Sequence, residues 1–237
     1  MKAVILAGGK GVRLRPLTFS IPKPLLPVGE NPILDIMLSN LKKSGINEVI
    51  LSIGYQGEII QAFCADGSKY ELSIRYINED KPLGTAGPLS LMLDCFDPED
   101  DFLLINGDIY THLVFQDLIE FHKKGRYSLT VAYKDFEYQS PYGVLVIEGD
   151  KLSGIVEKPK TIYKISSGIY VLNASVLNCI PHDMYFTMPE LINVLLQEGR
   201  EIGTYHIREF WLGIEQIKDF DKALAELNRV ELNPLEK

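Results

Sequence analysis

The chain has 237 residues, of which 46% are hydrophobic, and its formal net charge is −8. This length suits one large α/β domain and is enough to bury a core. Because no run of lysine or arginine exceeds two residues, the acidic charge argues against a nucleic acid or a membrane surface as the partner.

No apolar run reaches the ~18 residues that a membrane-spanning helix needs, and the N-terminus has the pattern of a strand and not of a signal peptide. We therefore expect a cytoplasmic protein. Cys64, Cys95 and Cys179 are widely scattered and have no C-x-x-C spacing. This argues against a disulfide framework or a zinc site and predicts three core thiols.

The first element is an apolar run at residues 3–6, which predicts a short buried strand. The segment that follows, residues 6–28, is LAGGKGVRLRPLTFSIPKPLLPV. Its glycines lie just past the carboxyl end of the strand, where open α/β sheets bind ligands. Glycine lets the backbone approach an anion closely. Arg13 and Lys23 add positive charge that suits the phosphates of a nucleoside triphosphate.

A glycine-rich turn after a first strand is common, so the spacing of the glycines matters. GGKGVR does not fit the dinucleotide pattern G-x-G-x-x-G, and it lacks the G-K-[ST] ending of a P-loop. Pro22, Pro24 and Pro27 predict a stiff, extended segment that displays Lys23. The pattern therefore favours a phosphate site of another class.

The segment resembles the signature of the sugar-phosphate nucleotidyltransferases, in which LAGGxGxRLxPLT is followed by PKPLLPV. The resemblance implies that the glycine loop and the arginine bind the triphosphate, and that the lysine between the prolines binds phosphate near the reacting centre. The residues that it assigns in this chain are Leu6, Ala7, Gly8, Gly9, Gly11, Arg13 and Lys23.

The elements that follow alternate between helix and strand. Apolar residues at helical spacing predict a helix at residues 32–43 that Gly45 ends. A strand at 49–53, a short helix around 59–63 and a strand at 72–77 come next. This alternation predicts right-handed crossovers and a largely parallel sheet covered on both faces.

Residues 78–89, NEDKPLGTAGPL, lead into a helix predicted near residues 89–93. Gly84 lets the backbone approach a flat ligand, and Thr85 can bind a hydroxyl, although helix capping alone would also explain Thr85. The segment resembles the PLGTAGPL motif of GDP-mannose pyrophosphorylases, in which this loop surrounds the base. Glu79 then suits guanine, because a carboxylate can accept both the N1–H and N2–H donors, so we expect GTP.

A fourth apolar strand, residues 102–105, ends in Asn106-Gly107-Asp108. An aspartate at this position faces the same crevice as the first loop. Its alternative role is an Asx turn, but a triphosphate requires a divalent cation, which one or two carboxylates and phosphate oxygens bind. The resemblance assigns Asp108 as a magnesium ligand and includes Asn106 in the sugar-phosphate site.

The second half begins with successive strands at 129–133, 143–147 and 152–157, and another follows at 167–172. Strands without intervening helices predict a mixed sheet region that covers the acceptor sugar. The resemblance assigns Gly143, Glu157 and Lys158 to the sugar phosphate, from the motifs Y-G and E-K-P. Ser166 stands where many relatives have an asparagine in the sugar pocket.

The last third departs from the family pattern at two positions. A helix is predicted at residues 188–196, and Thr187 stands before M-P where close relatives place an aspartate. The motif FWLGIE places Gly213 where the family has the aspartate that is its second metal ligand. Because residues two apart share a face of a strand, we hypothesise that Glu215 replaces this ligand. The alternative is that Glu215 begins the final helix, predicted at about 216–228.

The expected fold is a three-layer α/β sandwich, Rossmann-like, with a mixed and mostly parallel central sheet. We expect one nucleotidyltransferase domain at residues 1–230, with a nucleotide-binding half at about 1–125, a sugar-phosphate-binding half at about 126–230, and a tail at 231–237. The implied reaction joins a sugar 1-phosphate to GTP, with magnesium as cofactor, and yields a GDP-sugar and pyrophosphate. Two alternatives stay open: the same reaction with UTP or dTTP, and a non-catalytic nucleotide-sugar binding protein. A homo-oligomer and the identity of the sugar also stay open.

Overall fold

In the computed structural model, which describes residues 1–232, a seven-stranded mixed sheet forms the middle layer. The strands are β1 (Lys2–Leu6), β2 (Pro27–Val28), β3 (Asn31–Pro32), β4 (Glu48–Ile53), β5 (Ser73–Asn78), β6 (Asp101–Asn106), β7 (Ile109–Thr111), β8 (Leu129–Gln139), β9 (Val144–Glu148), β10 (Lys151–Val156), β11 (Lys160–Asn173), β12 (Ile202–His206) and β13 (Trp211–Gly213). The helices are α1 (Ile33–Lys43), α2 (Gly57–Cys64), α3 (Phe115–Gly125), α4 (Met188–Gln197) and α5 (Ile217–Leu232).

The order of strands in the large sheet is β12-β8-β11-β6-β1-β4-β5. The pairings within it are parallel except for the two that β11 makes, with β6 and with β8. The predicted mixed, mostly parallel sheet is therefore confirmed. Its strands come from both sides of the predicted boundary near residue 125, and β6 and β11 pair across that boundary.

Both faces of the central strands are buried, because consecutive residues pack into different core clusters. In β6, Leu103 and Ile105 pack in one cluster with residues of α1, α2 and α3. Phe102 and Leu104 pack in the other with residues of α4. A strand that is covered on both faces has no polar side, which explains why these strands are continuous apolar runs in the sequence.

The proline segment after the glycine loop is extended only in part: Pro22, Leu26 and strand β2 are extended, but the prediction is wrong for Lys23 itself. Residues Lys23–Leu25 form a short 3-10 helix, in which the Leu25 N–H donates to the Pro22 carbonyl at 2.8 Å. Proline suits the first turn of a helix, since its fixed φ is already helical and the missing N–H would have no partner there.

The helix predicted near residues 89–93 is replaced by two short 3-10 helices, Gly87–Leu91 and Leu93–Cys95. The N–H groups of Ala86 and Gly87 both donate to the carbonyl of Phe186 at 2.9 Å. The start of the segment is thus bound to a distant part of the chain, and a regular α-helix does not form there.

Two further predictions are revised by the structure, and one helix was not predicted. Cys64 and Cys95 are buried, but Cys179 is only partly buried, because it lies beside the charged side chains of Glu198 and Arg200. Helix α3 is not among the predicted elements. The predicted tail at 231–237 overlaps the end of α5 at 231–232, and its remainder, 233–237, lies outside the described residues.

Strands β8 and β11 are longer than predicted and continue as a paired ribbon beyond the residues that pair with β6 and β12. Lys160 to Ser166 pair with Gln139 to Tyr133, and the hairpin of β9 and β10 lies between them in the chain. We call residues 134–165 the arm. Along residues 1–232, no helix combines the length and the apolar composition needed to cross a membrane.

Candidate active site

The carboxyl ends of three neighbouring parallel strands, β1, β4 and β6, meet at one edge of the sheet. Leu6 is level with Ser52 on one side and with Asn106 on the other. Two backbone hydrogen bonds extend the pairing beyond the strands: Ala7 N–H to the Ser52 carbonyl at 2.7 Å, and Gly107 N–H to the Leu6 carbonyl at 2.9 Å. The loops that follow β1 and β6 therefore leave the sheet side by side.

The glycine loop, residues 7–11, curls at its end into a short 3-10 helix, Val12–Leu14. Gly11 has φ +55°, a left-handed conformation that favours glycine, and its carbonyl accepts a hydrogen bond from the Thr18 hydroxyl at 2.8 Å. A Cβ built on Gly9 has no atom within 4 Å. The middle of the loop therefore borders open space.

Glu79 connects the second motif with the glycine loop. Its carboxylate accepts a hydrogen bond from the buried Ser52 hydroxyl at 2.8 Å, and a Cβ on Gly8 would lie 2.6 Å from the same oxygen. Burial raises the pKa of the Glu79 carboxyl, while hydrogen bonds from Ser52 and from the Leu83 backbone lower it by less. Gly8 thus makes room for a partly desolvated carboxylate against the loop.

Two ion pairs join the predicted phosphate-binding cations to the predicted metal ligands. Lys23 Nζ pairs with Asp108 Oδ2, and Arg13 Nη1 pairs with Glu215 Oε2. The first pair is the more enclosed, since the Lys23 side chain is 14% exposed and the Arg13 side chain 68%. An exposed pair contributes little stability, so a ligand can separate Arg13 from its partner at small cost.

The glycine that replaces the expected aspartate lies beside the backbone of Asp108. Gly213 pairs with Ile109 across β13 and β7, and the Ile214 N–H donates to the Asp108 carbonyl at 2.9 Å. A Cβ on Gly213 would make only ordinary contacts, the nearest at 3.6 Å from Trp211. The position therefore has room for a side chain.

Strand β13 ends at Gly213, so Glu215 does not share a strand face with it, and that premise of the hypothesis is wrong. Glu215 lies between β13 and α5, which begins at Ile217. The N–H groups of Glu215 and Gln216 donate to Asp219 Oδ2 at 3.0 and 2.9 Å, so Asp219 satisfies the amides at the start of this helix. Within residues 1–232, no group of three or more His, Cys, Asp or Glu side chains could hold a metal ion by itself. Asp108 and Glu215 would thus need further ligands from a bound substrate.

The loop predicted to surround the base is bound to the start of α4. A Cβ on Gly84, which has φ +82°, would lie 2.6 Å from the Phe186 carbonyl. The Thr85 hydroxyl accepts a hydrogen bond from the Met188 N–H at 2.9 Å, and Thr187 is the N-cap of α4 with a capping box. Thr85 thus caps a distant helix, and contacts of Gly84 and Thr85 with a base stay predictions.

The predicted sugar-phosphate residues fall into two groups, the first at the base of the hairpin in the arm. A Cβ on Gly143 would lie 3.0 Å from Glu157 Oε2, so these two residues are adjacent. Lys158 is exposed and has φ +46°, and its carbonyl accepts a hydrogen bond from the Gln139 amide at 3.3 Å.

The second group lies where β6 meets β11. The side chain of Asn106 packs against Gly168, whose Cβ would lie 2.5 Å from the Asn106 amide nitrogen. The Asn106 Oδ1 atom is buried and has no hydrogen-bond partner among the described residues. Ser166 is exposed and shares a hydrogen bond of 2.7 Å with the Tyr170 hydroxyl.

Ser52 and Gly107 belong to this site but were given no role by the sequence patterns. Ser52 is the one polar residue in the middle of the apolar run VILSI, and this isolated hydroxyl is the signal that marks it. Gly107 is needed because a Cβ there would lie 2.7 Å from the Leu6 carbonyl. The sequence around Gly107 does not indicate that contact, because Leu6 is distant in the chain.

Comparison with known proteins identifies a family model, described as nucleotidyl transferase, that matches residues 2–229. Among curated relatives, a probable mannose-1-phosphate guanylyltransferase 1 from Oryza sativa subsp. japonica is 38% identical over 94% of this chain. The mannose-1-phosphate guanylyltransferase catalytic subunit beta from Danio rerio is 35% identical over 93% of it. The chain spans 64% and 62% of the length of these two relatives.

Solved structures with this fold include two bacterial proteins. A putative glucose-1-phosphate thymidylyltransferase from Bacillus anthracis, in complex with a sucrose, has a TM-score of 0.78 and 25% identity, covering 95% of this chain and 94% of that one. HddC from Yersinia pseudotuberculosis, complexed with GMP-PN, has a TM-score of 0.75 and 28% identity, covering 95% and 99%.

Gly9→Ala and Gly107→Ala test which glycine is needed for ligand binding and which is needed for packing. The methyl group at Gly9 meets no protein atom, so we expect an unchanged melting temperature and a nucleotide affinity reduced about tenfold or more, as for a lost charged hydrogen bond. The methyl group at Gly107 meets the Leu6 carbonyl, so we expect destabilisation by about 1–3 kcal/mol. Thermal unfolding measures the stability of each variant, and titration with a fluorescent GTP analogue measures its nucleotide affinity. An unchanged affinity in Gly9→Ala would contradict the assignment of this loop as the phosphate site.

The stability of the Glu79→Gln variant relative to that of the wild type should increase as the pH rises. The raised pKa of Glu79 means that the folded state disfavours the ionised carboxylate. The free energy of unfolding of the wild type therefore falls as the pH rises from the ordinary pKa of 4.5 through the raised pKa. Glutamine stays neutral across that range. Urea unfolding at the two ends of the range measures the difference, and Glu58→Gln, an exposed glutamate on α2, is the control. An equal difference at both ends would contradict the buried position of this carboxylate.

Proposed function

Because this chain belongs to the nucleotidyl transferase family, we propose that it transfers the nucleotidyl group of GTP to a sugar 1-phosphate. The products are a GDP-sugar and pyrophosphate. Mannose 1-phosphate is the acceptor we favour, since the relatives from Oryza sativa and Danio rerio carry that substrate in their names. The proposal concerns the described domain, since those relatives are longer than this chain.

The observation that carries the proposal is the contact between Glu79 and the glycine loop. A carboxylate held by Ser52 and fitted against Gly8 presents only acceptor atoms beside the loop predicted to hold phosphates. Guanine offers two adjacent donors to such a group, whereas uracil and thymine present one donor between acceptors. This complementarity supports GTP over UTP and dTTP.

The reaction is attack of an acceptor phosphate oxygen on the α-phosphorus of GTP. The new oxygen–phosphorus bond forms as the bond to the bridging oxygen of the β-phosphate breaks, and pyrophosphate leaves with that electron pair. No protein nucleophile is required, since the attacking oxygen is already an anion. The protein must therefore align two polyanions and stabilise the charge on the five-coordinate phosphorus.

Arg13, Lys23 and Lys158 are the cations assigned to this role. In the ligand-free chain, Arg13 and Lys23 are neutralised by Glu215 and Asp108. On binding of the triphosphate, its oxygens would take the place of these carboxylates, and Asp108 and Glu215 would then be available to hold a divalent cation. Lys158 has no ion pair among the described residues and is exposed, so we assign it to the acceptor phosphate.

The donor set fits a magnesium ion that the substrate helps to bind. Asp108 is 28% exposed, and Glu215 is the only other carboxylate that we assign to the metal. Mg²⁺ is commonly held by one or two carboxylates plus substrate phosphates, so the absence of a self-sufficient metal cluster within residues 1–232 agrees with this use. Magnesium, when bound, would neutralise negative charge on the triphosphate.

The acceptor sugar is proposed to lie between the arm and the end of β6. Glu157, Gly143 and Lys158 line the base of the hairpin, while Asn106 and Ser166 lie on the sheet. The buried Asn106 Oδ1 has no hydrogen-bond donor among the described residues, and a sugar hydroxyl would provide one, which supports this assignment. In this scheme residues 1–125 bind the nucleotide and 126–230 the sugar phosphate, and a cytoplasmic location stays a prediction.

A pyrophosphate-release assay with a panel of triphosphates and sugar 1-phosphates tests the proposed reaction. We expect release with GTP and mannose 1-phosphate, and a loss of about two orders of magnitude or more in Lys23→Ala and Arg13→Ala, as when one charge-stabilising group is removed. Lys124→Ala, an exposed lysine on α3, is the matched control. Release with UTP or dTTP in preference to GTP would overturn the assignment of the donor.

The same panel tests the base assignment. Glu79→Gln should lower turnover with GTP more than turnover with UTP, because the amide presents a donor to one of the guanine donors. Each mispairing costs on the order of 1–3 kcal/mol. If no triphosphate supports release while GTP and GDP-sugars still bind, the chain is a nucleotide-sugar binding protein and not a transferase.

Binding of Mn²⁺ in the presence of a non-hydrolysable GTP analogue tests the metal site without turnover. Asp108→Asn should abolish binding and Glu215→Gln should weaken it. Gly213→Asp should strengthen it about tenfold, because this change adds a carboxylate at a position where a Cβ makes only ordinary contacts. Glu201→Gln is the control, since this glutamate is exposed near β12. Unchanged binding in Glu215→Gln would mean that Asp108 and the triphosphate hold the metal alone.

A further inference from the structure

The ammonium group of Lys134, the first residue of the arm, lies among three consecutive backbone carbonyls. It donates to the carbonyl oxygen of Ile207 at 3.1 Å, of Arg208 at 3.3 Å and of Glu209 at 2.8 Å. An ammonium group has three N–H donors, so residues 207–209 use all of them. A lysine at a protein surface is usually hydrated and flexible, whereas Lys134 makes a fixed contact between the arm and this segment.

The conformation of residues 207–209 depends on this positive charge. Three carbonyl oxygens that converge on one point bring the negative ends of three peptide dipoles together, which is unfavourable unless a cation lies between them. The hydrogen bonds to Ile207 and Glu209 are partly buried. Because removal of the ammonium group would leave these carbonyls without their donor, we expect the segment to change its path.

The chain runs from this segment directly to the proposed metal ligands. The Phe210 carbonyl accepts a hydrogen bond from the Thr111 hydroxyl at 2.8 Å, and β13 pairs with β7. The Ile214 N–H then donates to the Asp108 carbonyl at 2.9 Å, and the next residue is Glu215. A change of path at residues 207–209 would therefore move the backbone that contacts Asp108 and carries Glu215.

Lys134 also belongs to the half of the chain that we assign to the acceptor. Tyr133, which precedes it in β8, accepts a hydrogen bond from the Ile207 N–H at 2.9 Å. The arm is thus joined to the segment through its backbone as well as through the ammonium group. Since the arm carries the hairpin residues that we assign to the sugar phosphate, Lys134 lies between the two halves of the proposed site.

We propose that Lys134 is a positioning residue for the metal site. Its ammonium group fixes residues 207–209 and, through β13, sets the positions of Asp108 and Glu215, without itself binding a substrate. The effect on the metal rests on the proposed function, because Asp108 and Glu215 are metal ligands only in that proposal. The dependence of β13 on Lys134 does not rest on it.

The first test is the binding of Mn²⁺ in the presence of a non-hydrolysable GTP analogue, followed by electron paramagnetic resonance. Lys134→Met keeps the aliphatic part of the side chain and removes the three donors. We expect its Mn²⁺ affinity to fall about tenfold or more, as when a group behind the metal ligands is lost. Its affinity for a fluorescent GTP analogue in EDTA should equal that of the wild type, whereas a loss of stability alone would not change Mn²⁺ binding by the folded protein.

Two further variants control this measurement. Lys164→Met removes a positive charge from the same part of the arm, where Lys164 contacts Tyr133 and Asp135, and it should bind Mn²⁺ as the wild type does. Lys134→Gln keeps two N–H donors, so it should fold even if the methionine variant does not, and it should lose a smaller part of the affinity. Wild-type Mn²⁺ affinity in every folded Lys134 variant, or an equal loss in Lys164→Met, would overturn the proposal.

The fluorescence of Trp211 gives a second readout that needs neither metal nor nucleotide. The chain has one tryptophan, which lies in β13 and donates its indole N–H to the Ser167 carbonyl at 3.0 Å. We expect the emission maximum of the ligand-free protein to shift in Lys134→Met or, failing that variant, in Lys134→Gln, and not in Lys164→Met. If the wild type binds no Mn²⁺, the proposed metal site is wrong and the emission decides alone. Unchanged emission would then overturn the positioning role as well.

Discussion

The parallel pairing of β1 with both β4 and β6 is the constraint on which the candidate site depends. It sets Leu6 level with Ser52 and Asn106 and continues past the strand ends through the amides of Ala7 and Gly107. Because the three strands are buried on both faces, a slip of register would move whole rows of apolar side chains out of their clusters. The core therefore fixes the relative positions of the loops that provide the proposed phosphate, base and metal ligands.

The charges at this edge balance one another before any ligand arrives. The chain is acidic overall, yet its proposed phosphate-binding cations are neutralised locally, Lys23 by Asp108 and Arg13 by Glu215. In the complex that we propose, the phosphates of a magnesium triphosphate would bind the cations, and the metal would bind the carboxylates. Glu79 differs, because its burial disfavours its own charge. Desolvation of a charged group is a local loss of stability that natural proteins accept at functional sites. The base recognition that we propose for Glu79 would benefit from it, because water would not compete for the carboxylate.

The central elements could be predicted from the sequence because their signals are local. Strands β1, β4 and β6 are short apolar runs, and α1 has its apolar residues at helical spacing. Helix α3 has the same signal in Phe115, Leu118, Ile119 and His122, although it was not among the predicted elements. The remaining differences arise from contacts between distant parts of the chain. The 3-10 segments near residue 90 depend on the carbonyl of Phe186, and the role of Ser52 depends on Glu79, 27 residues away. Likewise, the family motifs named Gly8, Gly9 and Gly11, but only the structure shows which atoms a Cβ at each position would meet.

Five glycines near the site fall into two groups, according to whether a Cβ would meet another part of the protein. At Gly8, Gly107 and Gly168 a Cβ would meet another part of the protein within 2.7 Å, so packing explains the glycine. At Gly9 and Gly213 a Cβ would have no contact closer than 3.6 Å, and neither residue has a positive φ, so neither packing nor backbone conformation requires glycine. Gly154 shares these properties, but it lies at the register shift of the hairpin. Gly9 lies in the loop predicted to hold phosphate, and Gly213 lies where the family has a metal ligand. The open space at Gly9 suits an anion close to the backbone. At Gly213 the missing carboxylate leaves Asp108, Glu215 and the triphosphate as the ligands that we propose for the metal.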